Sequence, residues 1–472
     1  MAAEDAAPYA MLPEERLEVE ERRKARVYYW TMASLNFFET GSGAGLTKFL
    51  PLFLAARGLN AAQVGLVLGL MQAGKFGGGL AFGRAADRTG RYKAILLWTN
   101  VCSIGLALAM TSRLAPWKPY GGTPWLRVAI IAALSNAQAF FASSSGTLID
   151  AIAVVNQSSG SADYGSLRLW AAFGWGVLAL CIGAAVDAVG YSAIFAAYAA
   201  GTGGACVVVV AAFENPVRGS VAPSPEDGDL DDDLSSQTSR KPTSLRAAFL
   251  GNPVVPLYFV NFFLHGCLAA FVESFLLLYV ASRYPTAPSW FLGLLVLEAA
   301  LCEMPVFLYA SRALDRFGVR PLLVFAQLLY AARCLAYAYL PAVAGEANDR
   351  GYYLFLLLEP SHALTFALMW SAAVEYGRLN APQQHQGAAQ ALLRGVYYYV
   401  GVGVGSFVGG KLVKAYGFQV LFKVGALAML AWSALWAILL KLAAPYDTRA
   451  TTEDALVDPP LLMRSNDSTE FI

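Results

Sequence analysis

The chain has 472 residues, of which 57% are hydrophobic, 13% aromatic and only 14% charged, where a soluble globular domain carries about 25% charge. A soluble chain of this length has the surface of two or three domains to cover with polar groups, and those groups are missing; a mean hydropathy of +0.49 belongs to a membrane protein. The formal charge of +1, from 34 Lys plus Arg against 33 Asp plus Glu, leaves no basic face for nucleic acid.

The first 26 residues are polar and include Arg22, Arg23, Lys24 and Arg26. They read as a tail with no cleavable signal peptide, so the first apolar helix is expected to anchor the chain. A bilayer-spanning helix needs about 20 mostly apolar residues. Such stretches fall near 27–54, 62–82, 93–112, 127–154, 165–188 and 190–213, and again near 248–281, 290–311, 321–343, 351–376, 386–411 and 418–441. The expectation is an all-α membrane protein of twelve transmembrane helices in two six-helix bundles, residues 27–213 and 248–441. Between them, residues 214–247 carry Glu226, Asp227, Asp229 and the run Asp231–Asp233 with prolines and serines; this composition buries no core and reads as an acidic linker. Residues 442–472 form a short polar tail.

Of the Lys and Arg residues in the connections, twenty lie on the side of the N-terminus and eight on the other. The excess places both termini and the linker in the cytosol. Six cysteines, Cys102, Cys181, Cys206, Cys267, Cys302 and Cys334, fall inside apolar stretches without CxxC spacing and read as small buried hydrophobes, not as disulfides or metal ligands. No nucleophile–base pair, phosphate loop or metal spacing appears, which argues against an enzyme, a metal or a cofactor. His265 and His385 read as a core and a loop residue.

After the second span comes Gly83-Arg-Ala-Ala-Asp87-Arg88-Thr-Gly90-Arg91-Tyr-Lys93, and after the eighth Ser311-Arg312-Ala-Leu-Asp315-Arg316-Phe-Gly318-Val-Arg320. The Asp-Arg-x-Gly core recurs 228 residues later at the same place in each six-helix unit. Two parallel repeats of six helices are a transporter architecture.

Ionisable side chains in the bilayer interior cost about 2.5–3.5 kcal/mol each and face partners or a water-filled path. Here they are Glu39, Lys48, Lys75, Asp150, Arg168, Glu273, Glu298, Glu303, Arg333, Glu359, His362 and Arg394. Asp150, near the end of the fourth span, and Arg168, at the start of the fifth, lie on neighbouring antiparallel helices and are expected to meet; an Arg fork grips carboxylate or substrate oxygens. Trp175, two turns beyond Arg168, offers a ring to a sugar or planar substrate. With Glu39, Lys48 and Glu273 these form the candidate substrate site. Glu39 and Lys48, nine residues apart, face opposite ways on one helix and must find partners elsewhere. Glu303, Arg333 and His362, near the middle of three successive spans, form the candidate proton site together with Glu359, with Glu303 expected beside Arg333. Glycines at 41, 43 and 45, at 77–79 and along 401–410 permit close helix approach.

The segment Gly83–Lys93 resembles the signature loop of the major facilitator superfamily, and the likeness runs over residues 27–441. Phe49-Leu-Pro51 with Val64-Gly65, Tyr164-Gly165-x-x-Arg168-x-Trp170-x-x-x-Gly174-Trp175, Arg333 and His362 resemble the lactose-permease-like symporter branch and its eukaryotic relatives. The resemblance implies a carrier that moves a small organic solute, sugar-like or nucleoside- or aromatic-acid-like, by alternating access with a proton; monomer and plasma membrane are the default expectations. It implies an acid–arginine–tryptophan sugar site at Asp150, Arg168 and Trp175. It gives Gly83, Asp87, Arg88, Gly90 and Arg91, and their repeats Asp315, Arg316 and Gly318, a gating role in which Asp87 bonds a neighbouring helix end and locks the outward-open state. The pattern departs at Thr365, where lactose permease has the glutamate that carries the proton, and at Glu303, a turn from the expected acid. Coupling then rests on Glu303, Glu298, Glu273 or Glu359; without it the chain is a uniporter or exchanger. A membrane protein that binds a ligand without transport is the alternative from another class.

Overall fold

The computed structural model describes residues 13–111, 124–158, 164–213, 252, 254–345, 349–380 and 386–444. The expected linker 214–247 and His385 lie outside them, as does the C-terminal tail from residue 445. Twelve helical segments cross the fold. We label them α1 (Pro13–Ala56), α2 (Ala61–Thr89), α3 (Tyr92–Ala109), α4 (Pro124–Ser158), α5 (Tyr164–Val189) and α6 (Ala193–Ala212) in the first bundle. The second holds α7 (Val254–Arg283), α8 (Ser289–Phe317), α9 (Val319–Ala344), α10 (Gly351–Asn380), α11 (Gln386–Tyr416) and α12 (Phe418–Ala443). Eleven are long and apolar enough to cross a bilayer. The exception is α1, which begins at Pro13 inside the expected tail, carries Glu39 and Lys48, and is seated against α5 and α6.

The Asp-Arg-x-Gly repeat has a local cause. Gly90 (φ 67°) and Gly318 (φ 76°) end α2 and α8 in the left-handed region, where a side chain is disfavoured. Their N–H groups close the last turns onto the carbonyls of Ala86 and Leu314 at 2.7 and 2.8 Å. At the other end of α2, Asn60 and Gln63 exchange backbone and side-chain hydrogen bonds in a capping box.

Packing repeats with the sequence. Within the first bundle α1 lies on α5 and α2 on α4; within the second α7 lies on α11 and α8 on α10; between bundles α2 meets α11 and α5 meets α8. Adding six to each helix number maps these pairs onto one another, as two parallel repeats require. Without a hydrophobic drive between helices in lipid, close backbone approach through small residues holds such pairs. A Cβ on Gly78 would lie 1.9 Å from the Phe140 carbonyl oxygen and one on Gly405 2.0 Å from that of Cys267. The inter-bundle seams are equally tight: a Cβ on Gly65 would stand 2.3 Å from the Ser406 carbonyl oxygen, and one on Gly183 2.3 Å from that of Ser289. These seam contacts sit at the end of the molecule opposite the signature loops. Gly43, in contrast, has nothing within 4 Å.

Three second-bundle helices are irregular. Helix α7 breaks after Glu273 and resumes at Leu276, α10 is interrupted at Glu359–Pro360, and α11 widens into a π-helical stretch at Gly395–Gly401, directly after Arg394. Such departures cluster at functional positions, and each here adjoins an intramembrane charge. All six cysteines are free, but only Cys334 is buried and Cys181 is exposed, so the expected burial holds for one of them.

Candidate functional site

Five helices converge on one network of charges. Arg333 of α9 donates from Nη2 to Glu359 Oε2 at 3.1 Å, from Nε to Tyr337 Oη at 2.6 Å and from Nη1 to His362 Nδ1 at 2.8 Å. The Tyr337 hydroxyl donates in turn to Glu359 Oε1. On the other edge of the imidazole, His362 Nε2 stands 3.1 Å from Glu303 Oε1 of α8, and Nδ1 lies 3.5 Å from Glu273 of α7. Glu273 closes the chain by pairing with Lys48 of α1, a contact between the two bundles. The sequence expectation that Glu303 sits beside Arg333 is corrected: the guanidinium goes to Glu359 and Tyr337, and Glu303 meets His362. Lys48 and Glu273, expected with the substrate site, belong to this network.

Arg333 and Glu359 are almost fully buried, whereas the Glu273 side chain keeps 32% of its surface, so one end of the network is sealed and the other open to the space between bundles. Arg333 can only donate. In that contact Nδ1 is therefore the acceptor, which leaves Nε2 as the donor toward Glu303. Three carboxyl groups thus share the network with one guanidinium, one amine and one imidazole. Glu298, five residues before Glu303 on α8, adds a carboxyl whose buried Oε2 has no hydrogen-bond partner among the described residues.

A second cluster lies nearer the signature-loop end. Asp150 of α4 meets Arg168 Nη1 of α5 at 3.4 Å, as the antiparallel arrangement led one to expect, and also Arg394 Nη1 of α11 at 3.0 Å. Asp150 is thus a bridge between bundles. Both arginine side chains remain more than a third exposed. Trp175 packs against the main hydrophobic core, partly buried.

Glu39 turns into the first bundle. Its Oε1 accepts from Asn100 Nδ2 at 2.5 Å, and Asn100 Oδ1 accepts from Ser145 at 2.7 Å. It does not join Lys48, in agreement with the helical arithmetic. In the signature loop Asp87 accepts from the Tyr92 hydroxyl at 2.7 Å, at the start of α3. That partner is a neighbouring helix end of the same bundle, so this contact does not lock one bundle to the other. Lys93, in the same loop, donates to the carbonyls of Val210 and Phe213 at the end of α6, both at 3.0 Å.

At the opposite end, Asp187 of α5 accepts from the backbone N–H groups of Ser289 and Trp290 at 2.7 and 2.8 Å. A carboxylate of one bundle thus caps the first turn of a helix of the other. Sequence reading missed this residue, as it missed Tyr337 and an aromatic wall made by His362, Phe366 and Trp370 on α10 with Tyr398 on α11. Phe366 stacks on His362 with centroids 5.7 Å apart, and Trp370 lies 5.2 Å from Tyr398. The spacing of four along α10 was the available signal.

A profile of the MFS_1 like family matches residues 29–424. The maltose permease of Geobacillus stearothermophilus is 26% identical over 361 residues, which cover 75% of this chain and 80% of that protein. Among solved structures, the nucleoside transporter NupG superimposes with a TM-score of 0.70 at 13% identity, over 87% of this chain and 99% of that one. A POT peptide transporter superimposes with a TM-score of 0.67 at 14% identity, over 89% of this chain and 97% of its own.

Proposed function

We propose that this chain, which belongs to the MFS_1 like family of major facilitator transporters, carries a sugar-class solute across its membrane together with a proton. The family and its structural neighbours are transporters and not enzymes. The observation that carries the proton is the charge count of the network: Glu273, Glu303 and Glu359 against Lys48 and Arg333, with His362 between them. One added proton brings these groups to neutrality, and burial in the membrane favours the neutral set. The carboxylate that faces Arg333 comes from Glu359, three residues before His362; Thr365, three residues after, bonds the His362 carbonyl at 3.0 Å and has no titratable proton.

The geometry links that proton to movement. A proton on His362 Nδ1 sets donor against donor at Arg333 Nη1, so the new N–H turns to Glu273. Glu273 then divides its charge between His362 and Lys48, and the Lys48–Glu273 tie between the bundles weakens. Loading a proton thereby loosens one bundle against the other, which is the rocking that alternating access needs. Arg168 and Arg394, spread around Asp150 and each more than a third exposed, present guanidinium forks of the kind that grip hydroxyl oxygens, and the Phe366–Trp370–Tyr398 wall offers rings to a sugar face. Asp150, Arg168 and Arg394 therefore hold the solute, with Trp175 as a supporting ring packed in the core. The Lys and Arg excess supports a cytosolic position for both termini and the signature loops.

The test is uptake into proteoliposomes of radiolabelled mono- and disaccharides, with nucleosides and dipeptides in parallel, with and without an inward proton gradient. Accumulation of a saccharide above equilibrium only with the gradient is expected. Gradient-driven uptake of nucleosides or dipeptides alone overturns the sugar assignment. Saccharide uptake that merely equilibrates, indifferent to pH, overturns the coupling and makes the protein a facilitator.

A further inference from the structure

The second bundle contains a line of buried polar side chains outside both sites described above. It begins at the signature-loop end, where Arg320 Nε donates to the Tyr258 hydroxyl at 3.1 Å, and Tyr258 stacks on Tyr376 with centroids 3.7 Å apart. One turn deeper, Asn261 Oδ1 accepts from Gln327 Nε2 at 2.6 Å and from Trp432 Nε1 at 2.8 Å. One turn further, His265 lies between Tyr330 and Tyr397, at 6.0 and 6.2 Å between ring centroids, and Tyr330 precedes Arg333 by three residues. On α7 the positions are 258, 261 and 265; on α9 they are 320, 327, 330 and 333. Each set follows one helical face. From Arg320 to Arg333 the line covers about 20 Å along α9.

Four polar atoms along it, Asn261 Nδ2, Gln327 Oε1, His265 Nδ1 and Trp436 Nε1, are buried with no hydrogen-bond partner among the described residues. Their residues are at most 2% exposed. The amide orientations are not interchangeable. Trp432 can only donate, so it fixes Asn261 Oδ1 toward itself and Gln327, which leaves Asn261 Nδ2 and Gln327 Oε1 facing elsewhere. Buried polar groups take partners, and in an interior lined by donors and acceptors the partner of suitable size is water, which makes two to four hydrogen bonds. Such a file has no evident use in a bundle held by packing alone. It connects the signature-loop end with the sealed side of the network, where Arg333 and Glu359 are buried from the solute space.

We propose that this seam holds a chain of waters that conducts protons between the signature-loop end and the Glu359–Arg333–His362 group, by a route separate from the solute's. The inference rests on the proton-coupled reading for its role, but not for the waters. In the seam, Asn261, Gln327 and His265 hold the file, the Tyr330 hydroxyl, which donates to the Leu268 carbonyl, offers it an acceptor, and Trp436 lines its entrance. Solute then leaves through the space between bundles while its proton leaves through the second bundle.

The experiment uses the full-length protein in proteoliposomes and two variants: Asn261→Leu with Gln327→Leu, which removes the polar atoms at nearly constant volume, and Trp436→Phe, which removes one. Solute counterflow without a gradient, which needs binding and rocking alone, is expected within twofold of wild type in both. Gradient-driven accumulation is expected to fall at least tenfold in the double variant and severalfold in Trp436→Phe. Radiolytic hydroxyl labelling reads the waters directly: strong modification of Tyr330 in wild type and its loss in the double variant are expected. Wild-type accumulation in the double variant overturns the path, as does weak Tyr330 labelling in wild type. If wild type itself shows no gradient-driven uptake, the coupling has failed, and the labelling still decides for or against the water file. If the double variant loses counterflow through misfolding, Trp436→Phe decides alone: unchanged accumulation overturns the path.

Discussion

Replacing Asp187 by alanine removes a carboxylate of α5 that closes onto the first turn of α8. Two backbone N–H groups, Ser289 at 2.7 Å and Trp290 at 2.8 Å, lose their acceptor. An N-cap acceptor contributes about 1 kcal/mol, with a further 0.3–1 kcal/mol from the helix dipole where the charge is not screened. Asp187 is exposed, so the dipole part is heavily screened and about 1 kcal/mol remains. Because the contact joins the two bundles, it stabilises only the state in which this end is closed. Its loss therefore shifts the equilibrium toward opening at this end by about fivefold. Spin labels attached through introduced cysteines at Val189 on α5 and Tyr353 on α10, in a background cleared of the native cysteines, report the separation of the two bundles there. The long-distance population should rise about fivefold in Asp187→Ala and partly in Asp187→Asn, whose amide oxygen still accepts. An unchanged distance distribution would refute the latch, because a cap within one rigid body has no conformational readout.

Other predictions concern the charges and the packing. Arg333→Leu leaves Glu359 buried without its cation and should destabilise the protein by about 3–5 kcal/mol, read as a lower melting temperature in detergent; adding Glu359→Leu should restore most of that stability while accumulation stays lost. Asp150→Asn should raise KM for the solute severalfold more than Asp150→Glu, because the neutral amide no longer holds Arg168 and Arg394 in place; equal KM values in saccharide uptake would detach this cluster from binding. Gly78→Ala places a methyl 1.9 Å from the Phe140 carbonyl oxygen and should cost at least about 1–3 kcal/mol through overpacking, lowering the yield of folded protein. Gly43→Ala, with open space around it, should be silent in the same assay.

Much of the fold was legible because helices in a membrane must be long and apolar, and because the glycine of each Asp-Arg-x-Gly loop ends a helix with positive φ. The pairing of Asp150 with Arg168 was legible because two helices so close in sequence, 18 residues from one side chain to the other, leave few alternatives. The partner of Arg333 was not. Depth along a span fixes how far into the membrane a side chain lies but not its azimuth, and Glu303 and Glu359 approach from different helices. Glu359 also stands immediately before Pro360, where the interrupted helix turns its carboxylate inward. Arg394 and Asp187 find their partners across the two bundles, a relation that no local spacing encodes. Tyr337 was hidden among many apolar-span aromatics, although its place one turn after Arg333 was the signal.

The most direct measurement of the network's role is the pH of a lightly buffered suspension of de-energised proteoliposomes when saccharide is added. Wild type should draw protons inward with the solute and alkalinise the medium. His362→Gln keeps an acceptor for Arg333 and a donor for Glu303 but gains no proton, so it should abolish the alkalinisation while solute counterflow persists. Alkalinisation of wild-type size in His362→Gln would contradict the assignment of the coupling proton to this network.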